Sequence, residues 1–284
     1  MVNVYRPASL VEALGFLRQN RAVPLAGGTD LMVQHRRSSG CTPSFGLPVL
    51  FIGHLDELKA MHAEKQTLRI GAACTYSDLL RWSELPDEFR TVISQIASPA
   101  IRNRGTVGGN VCNASPAGDT LPYLYALNAQ AVVSNAEGNR LVPVSTLITG
   151  PGQTALEQGE LLTGFLVPRT RFSTFFYKKV GSRRANSCSK LSFLGLARVK
   201  GNELRDVRIC FGAVAPRVVR SPETEAWLSG RKTQEIDEMV PQIRAAYARL
   251  IRPIEDQRCT LRYRKEISLR LLEYFLGTLA GSKR

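Results

Sequence analysis

Arg102–Pro122 reads RNRGTVGGNVCNASPAGDTLP. Gly, Asn, Ser and Pro crowd this stretch and favour turns over regular structure, so a long ordered loop is expected here. At its centre, Thr106-Val107-Gly108-Gly109-Asn110 sets two adjacent glycines among side chains able to hydrogen-bond a sugar or a phosphate. A second glycine pair lies upstream in PLAGGTDLMVQ, Pro24–Gln34. There Ala22–Ala26 reads as a short apolar strand that runs straight into Gly27-Gly28, then a hydroxyl at Thr29 and a carboxylate at Asp30. Adjacent glycines let successive backbone N–H groups converge on one anion without side-chain obstruction. Taken singly, each pair also suits a tight turn at a strand end. Neither G-x-G-x-x-G nor G-x-x-x-x-G-K-[ST] occurs, so a Rossmann loop and a P-loop are unsupported.

The flanking sequence supplies regular elements. Ser9 and Glu12 form a capping-box pattern opening a helix whose apolar face is expected to carry Leu10, Val11, Leu14 and Leu17. Val49–Ile52 reads as a buried strand and Leu55–Lys59 as a helical turn. Leu68–Ala73 is a strand, and Thr75 and Asp78 form a second capping box opening a helix through Trp82. Phe89–Ala97 and Tyr123–Leu127 are expected to be helical. Ala131–Ser134 and Arg140–Val144 form a hairpin, and Leu161–Val167 a further strand. From residue 172 the pattern changes. Phe172–Val180 is a strand, and Leu191–Val199 and Leu204–Val214 flank the turn Lys200-Gly201-Asn202. Ser221-Pro222 opens a helix. Gln234–Ile251 is a longer helix that Pro241 is placed to kink or split. Thr260–Ala280 is strongly amphipathic and ends at Gly281. The expected division is 1–55, 56–171 and 172–284, the last an α+β domain.

Composition narrows the classes. Hydrophobic residues make up 44% of the 284 and charged residues 22%, which excludes disorder as the main description. The most apolar run, Pro48–Ile52, falls far short of the roughly 18–20 residues that cross a bilayer, so no membrane span is expected. No leader pattern is visible at the N-terminus, so a cytoplasmic protein with reduced thiols is expected. Cys41, Cys74, Cys112, Cys188, Cys210 and Cys259 are scattered without a C-x-x-C pair, which argues against a metal or iron–sulfur site held by this chain alone. His35, His54 and His62 stand in no catalytic motif and read as ordinary surface or loop residues. The net charge of +14 raises nucleic acid, an anionic membrane surface or an acidic partner as candidates. It is unevenly spread: residues 1–150 hold 13 Lys+Arg and 11 Asp+Glu, residues 151–284 hold 25 and 13.

Together, Pro24–Gln34 and Ser98–Pro122 resemble the two flavin-binding segments of the FAD-binding medium subunit of molybdenum hydroxylases, the xanthine dehydrogenase and CO dehydrogenase flavoprotein family. Phe176–Arg184 resembles the start of that family's C-terminal domain, and Tyr263-Arg-Lys-Glu-Ile267 with the following apolar helix resembles its end. The resemblance implies a vanillyl-alcohol-oxidase (p-cresol methylhydroxylase) type FAD-binding domain of two subdomains, followed by an α+β flavoprotein C-terminal domain. It assigns Val23, Pro24, Leu25, Ala26, Gly27, Gly28, Thr29 and Asp30 to the FAD pyrophosphate. Gly105, Thr106, Val107, Gly108, Gly109 and Asn110 become a second cradle. Asp119 is implied to bind the sugar region of FAD, Leu162 to touch the flavin, and Lys179 to contact the cofactor, with Lys178 one register step away. Asp119 also reads as a turn former, Leu162 as a buried strand residue and Lys179 as a solvated edge lysine. Arg183 and Arg184 are assigned either to partner contacts or to solvent.

The function implied is that of an electron-transfer subunit. FAD would accept electrons from [2Fe–2S] clusters on a small partner subunit, after a large subunit with the molybdenum cofactor oxidises the substrate, and would pass them to NAD+ or another acceptor. No acid–base pair and no metal ligand is assigned to this chain. One alternative is a stand-alone FAD-dependent oxidoreductase of the same fold. A basic nucleic-acid-binding protein is the other; it calls for exposed aromatics interleaved with cations, and aromatic content is only 7%.

Overall fold

The computed structural model describes residues 3–183, 186–254 and 256–281. Arg184, the end of the third family segment, lies outside them. The chain packs as two units. The first comprises residues 1–85, 98–114 and 128–169; the second comprises 86–97, 115–127 and 170–284.

The first unit holds two main sheets. A parallel three-stranded sheet runs in the order Val4–Tyr5, Val49–Phe51, Val23–Leu25. Pro24 therefore sits on an edge strand, where its missing N–H costs no ladder bond. Helix Leu10–Gln19 buries Ala13, Leu14 and Leu17 against Leu50, Ile52 and Leu58. Ser9 caps it by accepting from Glu12 N, and the Glu12 carboxylate accepts from Ala8 N at 2.6 Å, so the first box closes through the neighbouring residue. An antiparallel five-stranded sheet follows, in the order Met61–Ala63, Thr67–Gly71, Leu161–Pro168, Gln130–Asn135, Gly138–Pro143. The strand Leu161–Pro168 lies at its centre and carries a bulge between Leu162 and Gly164.

The second capping box is complete: Thr75 accepts from Asp78 N, and Asp78 accepts from Thr75 N, opening helix Tyr76–Arg81. The glycine-rich stretch after Arg102 departs from the long loop expected. Thr106 Oγ1 accepts from Gly109 N at 3.0 Å and nucleates a seven-residue helix, Val107–Asn113, ending at a left-handed Ala114. The cap, worth about 1 kcal/mol, offsets part of the roughly 2 kcal/mol that two glycines cost a helix, and burial of Val107 and Val111 supports the rest. A four-residue helix, Leu31–Gln34, likewise replaces the start of the polar loop after Asp30.

In the second unit an antiparallel sheet runs in the order Thr174–Val180, Leu191–Lys200, Glu203–Gly212, Val219–Arg220. Helix Leu261–Ala280 is capped by Thr260, ended by left-handed Gly281, and buries Leu272, Phe275 and Leu276 completely. Phe275 packs so closely on Gly195 that a Cβ there would lie 2.7 Å from its ring. Helix Ile236–Leu250 stays whole through Pro241. Pro241 is exposed, so its ring meets solvent and not the packed face of this helix.

Candidate functional site

In the first unit the two glycine segments abut. A Cβ on Gly27 would fall on the carbonyl oxygen of Arg104, so only glycine allows this approach. A Cβ on Gly105 would lie 3.3 Å from Thr29 Oγ1. Gln34 donates to the Asp30 carboxylate and, at 3.0 Å, to Asn113 Oδ1, which ties the first loop to the end of helix Val107–Asn113.

The segments differ in their free donors. Gly28 is left-handed, with φ of +71°. Among the described residues, the backbone N–H groups of Gly27, Gly28, Thr29 and Asp30 find no acceptor in the chain. Four consecutive open donors beside a left-handed glycine are the backbone groups from which anion nests are built. The second segment has spent its donors. Val107 N bonds Cys74 O at 3.2 Å, Gly108 N bonds Ala72 O at 2.9 Å, Gly109 N bonds Thr106 Oγ1 and Asn110 N bonds Thr106 O at 3.0 Å. Gly108 is required for packing: a Cβ would lie 2.6 Å from Ala72 O. Its glycine thus allows close approach to the Thr67–Gly71 strand end.

A cavity of about 230 Å³ opens beside these loops. Pro24, Ala26, Thr106, Gly108, Gly109 and Leu162 all line it, so the chain brings these sequence-predicted positions together. The remaining wall is mostly aliphatic, and Leu162 is 3% exposed. Glu160, also on the wall, receives two bonds from the Arg140 guanidinium, at 2.6 and 2.7 Å, and one from Glu157 N. The Arg140 hydrogen bonds hold its carboxyl below the ordinary glutamate value. The arrangement can receive a flat or aliphatic group in the cavity and an anion at the nest.

The second unit holds Asp119 and Lys179, which pair with each other at 2.7 Å. Lys179 Nζ also donates to Gln95 O at 3.1 Å, and Ser189 Oγ donates to the other Asp119 oxygen at 2.5 Å. The Lys179 side chain is 7% exposed, so it is not a solvated edge lysine. Strand alternation points Lys179 and the buried Tyr177 to one face and exposed Lys178 to the other. Tyr177 Oη is buried there without a partner among the described residues. Gln95 and Ser189 escaped the sequence reading, because no local signal links residues this far apart. The histidines read as expected: His35 Nδ1 lies 3.1 Å from Ser44 O, His54 Nε2 lies 2.8 Å from Pro7 O, and His62 is exposed.

Residues 1–170 match the family described as FAD binding domain in molybdopterin dehydrogenase, and residues 176–279 match the CO dehydrogenase flavoprotein C-terminal domain. The chain belongs to this family of FAD-binding flavoprotein chains of molybdopterin dehydrogenases. It is 33% identical over 266 residues to the glyceraldehyde dehydrogenase medium chain of Sulfolobus acidocaldarius, covering 92% of each chain. It is 31% identical over 231 residues to the xanthine dehydrogenase FAD-binding subunit of Escherichia coli O157:H7, covering 78% of this chain and 77% of that one. A solved chain of the reconstituted CO dehydrogenase from Oligotropha carboxidovorans superposes with a TM-score of 0.87 over 96% of both chains, at 24% identity. The α+β architecture implied by the two glycine segments is therefore the one found. No helix among the described residues is long and apolar enough to cross a membrane.

Proposed function

We propose that this chain is the FAD-carrying electron-transfer subunit of a molybdenum-containing hydroxylase, working in the cytoplasm. It takes electrons from [2Fe–2S] clusters on a small partner subunit, while a large subunit holds the molybdenum cofactor, and it passes them to NAD+ or another acceptor. The carrying observation is the run of open N–H donors from Gly27 to Asp30 beside an apolar cavity. A pyrophosphate needs several converging donors, and an aromatic ring needs an apolar slot; both are present in one unit.

FAD supplies the two-electron redox chemistry when bound, and the protein supplies position, electrostatics and access. Val23–Leu25 deliver the first loop from a sheet edge. Gly27–Asp30 bind phosphate oxygens, with the Thr29 hydroxyl adding a donor. Gly105–Asn110 hold that loop from behind through the Gly27–Arg104 contact and contribute Thr106 and Gly109 to the cavity wall. Pro24, Ala26 and Leu162 exclude water. Asp119 keeps the sugar-binding role and Lys179 the cofactor-contacting role that the resemblance gives them. Lys179, rather than Lys178, is the inward lysine.

We infer a division at 55/56 and 171/172, supported by each main sheet lying wholly inside one of the three segments. The chain's relatives include a medium chain and an FAD-binding subunit, which supports a place in a larger complex. The test is to isolate the protein from its source with its partners. A bound flavin is expected that bleaches when substrate reduces the whole assembly and stays oxidised when substrate meets this chain alone. Bleaching of the isolated chain by a substrate would overturn the subunit role in favour of a stand-alone oxidoreductase.

A further inference from the structure

Arg264 gathers a surface that the flavin site does not use. Its guanidinium is buried, with the side chain 4% exposed, and donates to Ile254 O at 2.6 Å, Asp256 Oδ1 at 2.6 Å and Cys259 Sγ at 3.2 Å. These bonds fold the segment after helix Ile236–Leu250 back onto the first turn of helix Leu261–Ala280. Large apolar side chains are left outward around this staple: Leu250 at 42%, Ile254 at 44%, Leu261 at 39% and Tyr263 at 40% exposure. Cations surround them. Residues 249–265 contain six Arg and Lys and two acidic residues. Asp256, the acidic residue described, is engaged by Arg264 and Arg258. Among the described residues, Arg249, Arg252, Arg262 and Lys265 pair with no carboxylate, and Lys190 lies over the Tyr263 ring at 5.6 Å.

We propose that this face of residues 249–265, with Lys190, docks an acidic surface of a partner subunit. An apolar centre with an arginine-rich, tyrosine-bearing rim is the composition of protein interfaces. Uncompensated positive charge selects a partner of opposite sign and speeds its approach. A nucleic acid answers the charge but leaves Leu250, Ile254 and Leu261 without an apolar counterpart, so a protein is the better fit. The proposal rests on the subunit reading above and places part of the C-terminal charge excess on one stapled segment.

The experiment compares backbone hydrogen exchange of the full chain alone with that of the same chain in the complex isolated from its source. Exchange in 249–265 is expected to slow about tenfold or more on assembly. Arg262→Glu with Lys265→Glu, and separately Leu261→Ser with Tyr263→Ser, are expected to shed the partner subunits on a sizing column while flavin content and thermal midpoint stay unchanged. All four side chains are exposed, so folding is not at stake. Unchanged exchange in 249–265, full assembly of both variants, or protection by duplex DNA in place of a protein would overturn the docking surface. If the isolated complex contains flavin yet leaves this segment unprotected, the docking surface fails and the flavin reading stands. A complex without flavin refutes the flavin reading.

Discussion

The α-carbon of Gly27 lies so close to Arg104 that any side chain on Gly27 would overlap the Arg104 carbonyl oxygen. This contact fixes the open donors of the first loop against the second segment. Gly27→Ala is expected to separate the loops and abolish FAD retention. The cost in stability is about 1–3 kcal/mol, the usual penalty for overpacking. Flavin absorbance after desalting and a thermal melt check both. Retained flavin with an unchanged melt would refute the contact's role.

Gly108→Ala is expected to destabilise the protein by about 1–3 kcal/mol whether or not FAD is present, because the new Cβ meets Ala72 O and its Cβ at 2.6 and 2.7 Å. A melt of the flavin-free protein is the decisive comparison. If the variant melted normally without flavin and lost only cofactor affinity, Gly108 would face a phosphate instead of Ala72.

Arg220 and Glu225 form a buried pair in the second unit, with side chains 12% and 6% exposed. Glu225 also accepts from Ile209 N at 2.7 Å, and Arg220 donates to Tyr125 O at 2.7 Å. Removing one partner of such a pair strands the other charge, at a cost of about 3–5 kcal/mol. Arg220→Ala should therefore lower the urea midpoint sharply. Replacing Arg220 and Glu225 together with apolar residues should recover much of the loss; no recovery would show that the backbone bonds dominate.

Glu160 sets an acid limit on the cavity wall. Its folded value lies below the ordinary glutamate value because Arg140 bonds the ionised form. Its contribution is therefore complete above the ordinary value and is lost as pH falls through the lowered one. Glu160→Gln should weaken the protein at neutral pH and flatten the acid limb of its stability profile. An unchanged acid limb would exclude Glu160 as a source of that dependence.

Burial pushes the Cys74 thiol up to about 12 and raises Cys210 further above its usual range. Both should resist a thiol reagent in the folded protein, while exposed Cys41 and Cys188 react at once. Peptide mapping after brief alkylation reads this directly, and early labelling of Cys74 would contradict its burial.

The legible parts of the fold are those written in neighbouring residues. The Thr75–Asp78 capping box, the hairpin around Gly201 and the Gly281 stop all need only a few adjacent side chains, and all stand where expected. Helix Val107–Asn113 was hidden because two glycines and two asparagines mask helical propensity, although its cap, Thr106, was in view. The turn at Gly27-Gly28 was legible. The spent donors of Val107–Asn110 were not, because Cys74 and Ala72, which accept two of them, lie on another strand end. The Asp119–Lys179–Ser189 cluster escaped for the same reason: its members meet only once the sheet of the second unit is folded.

The proposed function turns on Gly27–Asp30 holding the pyrophosphate of FAD. The most direct measurement is a calorimetric titration of the flavin-free chain with FAD and with riboflavin, which carries the same ring system and no phosphate. Tight, stoichiometric FAD binding is expected, with riboflavin binding weaker by at least about two orders of magnitude and a FAD preference that disappears in Gly27→Ala. Equal affinity for the two ligands, or no binding of FAD, would contradict it.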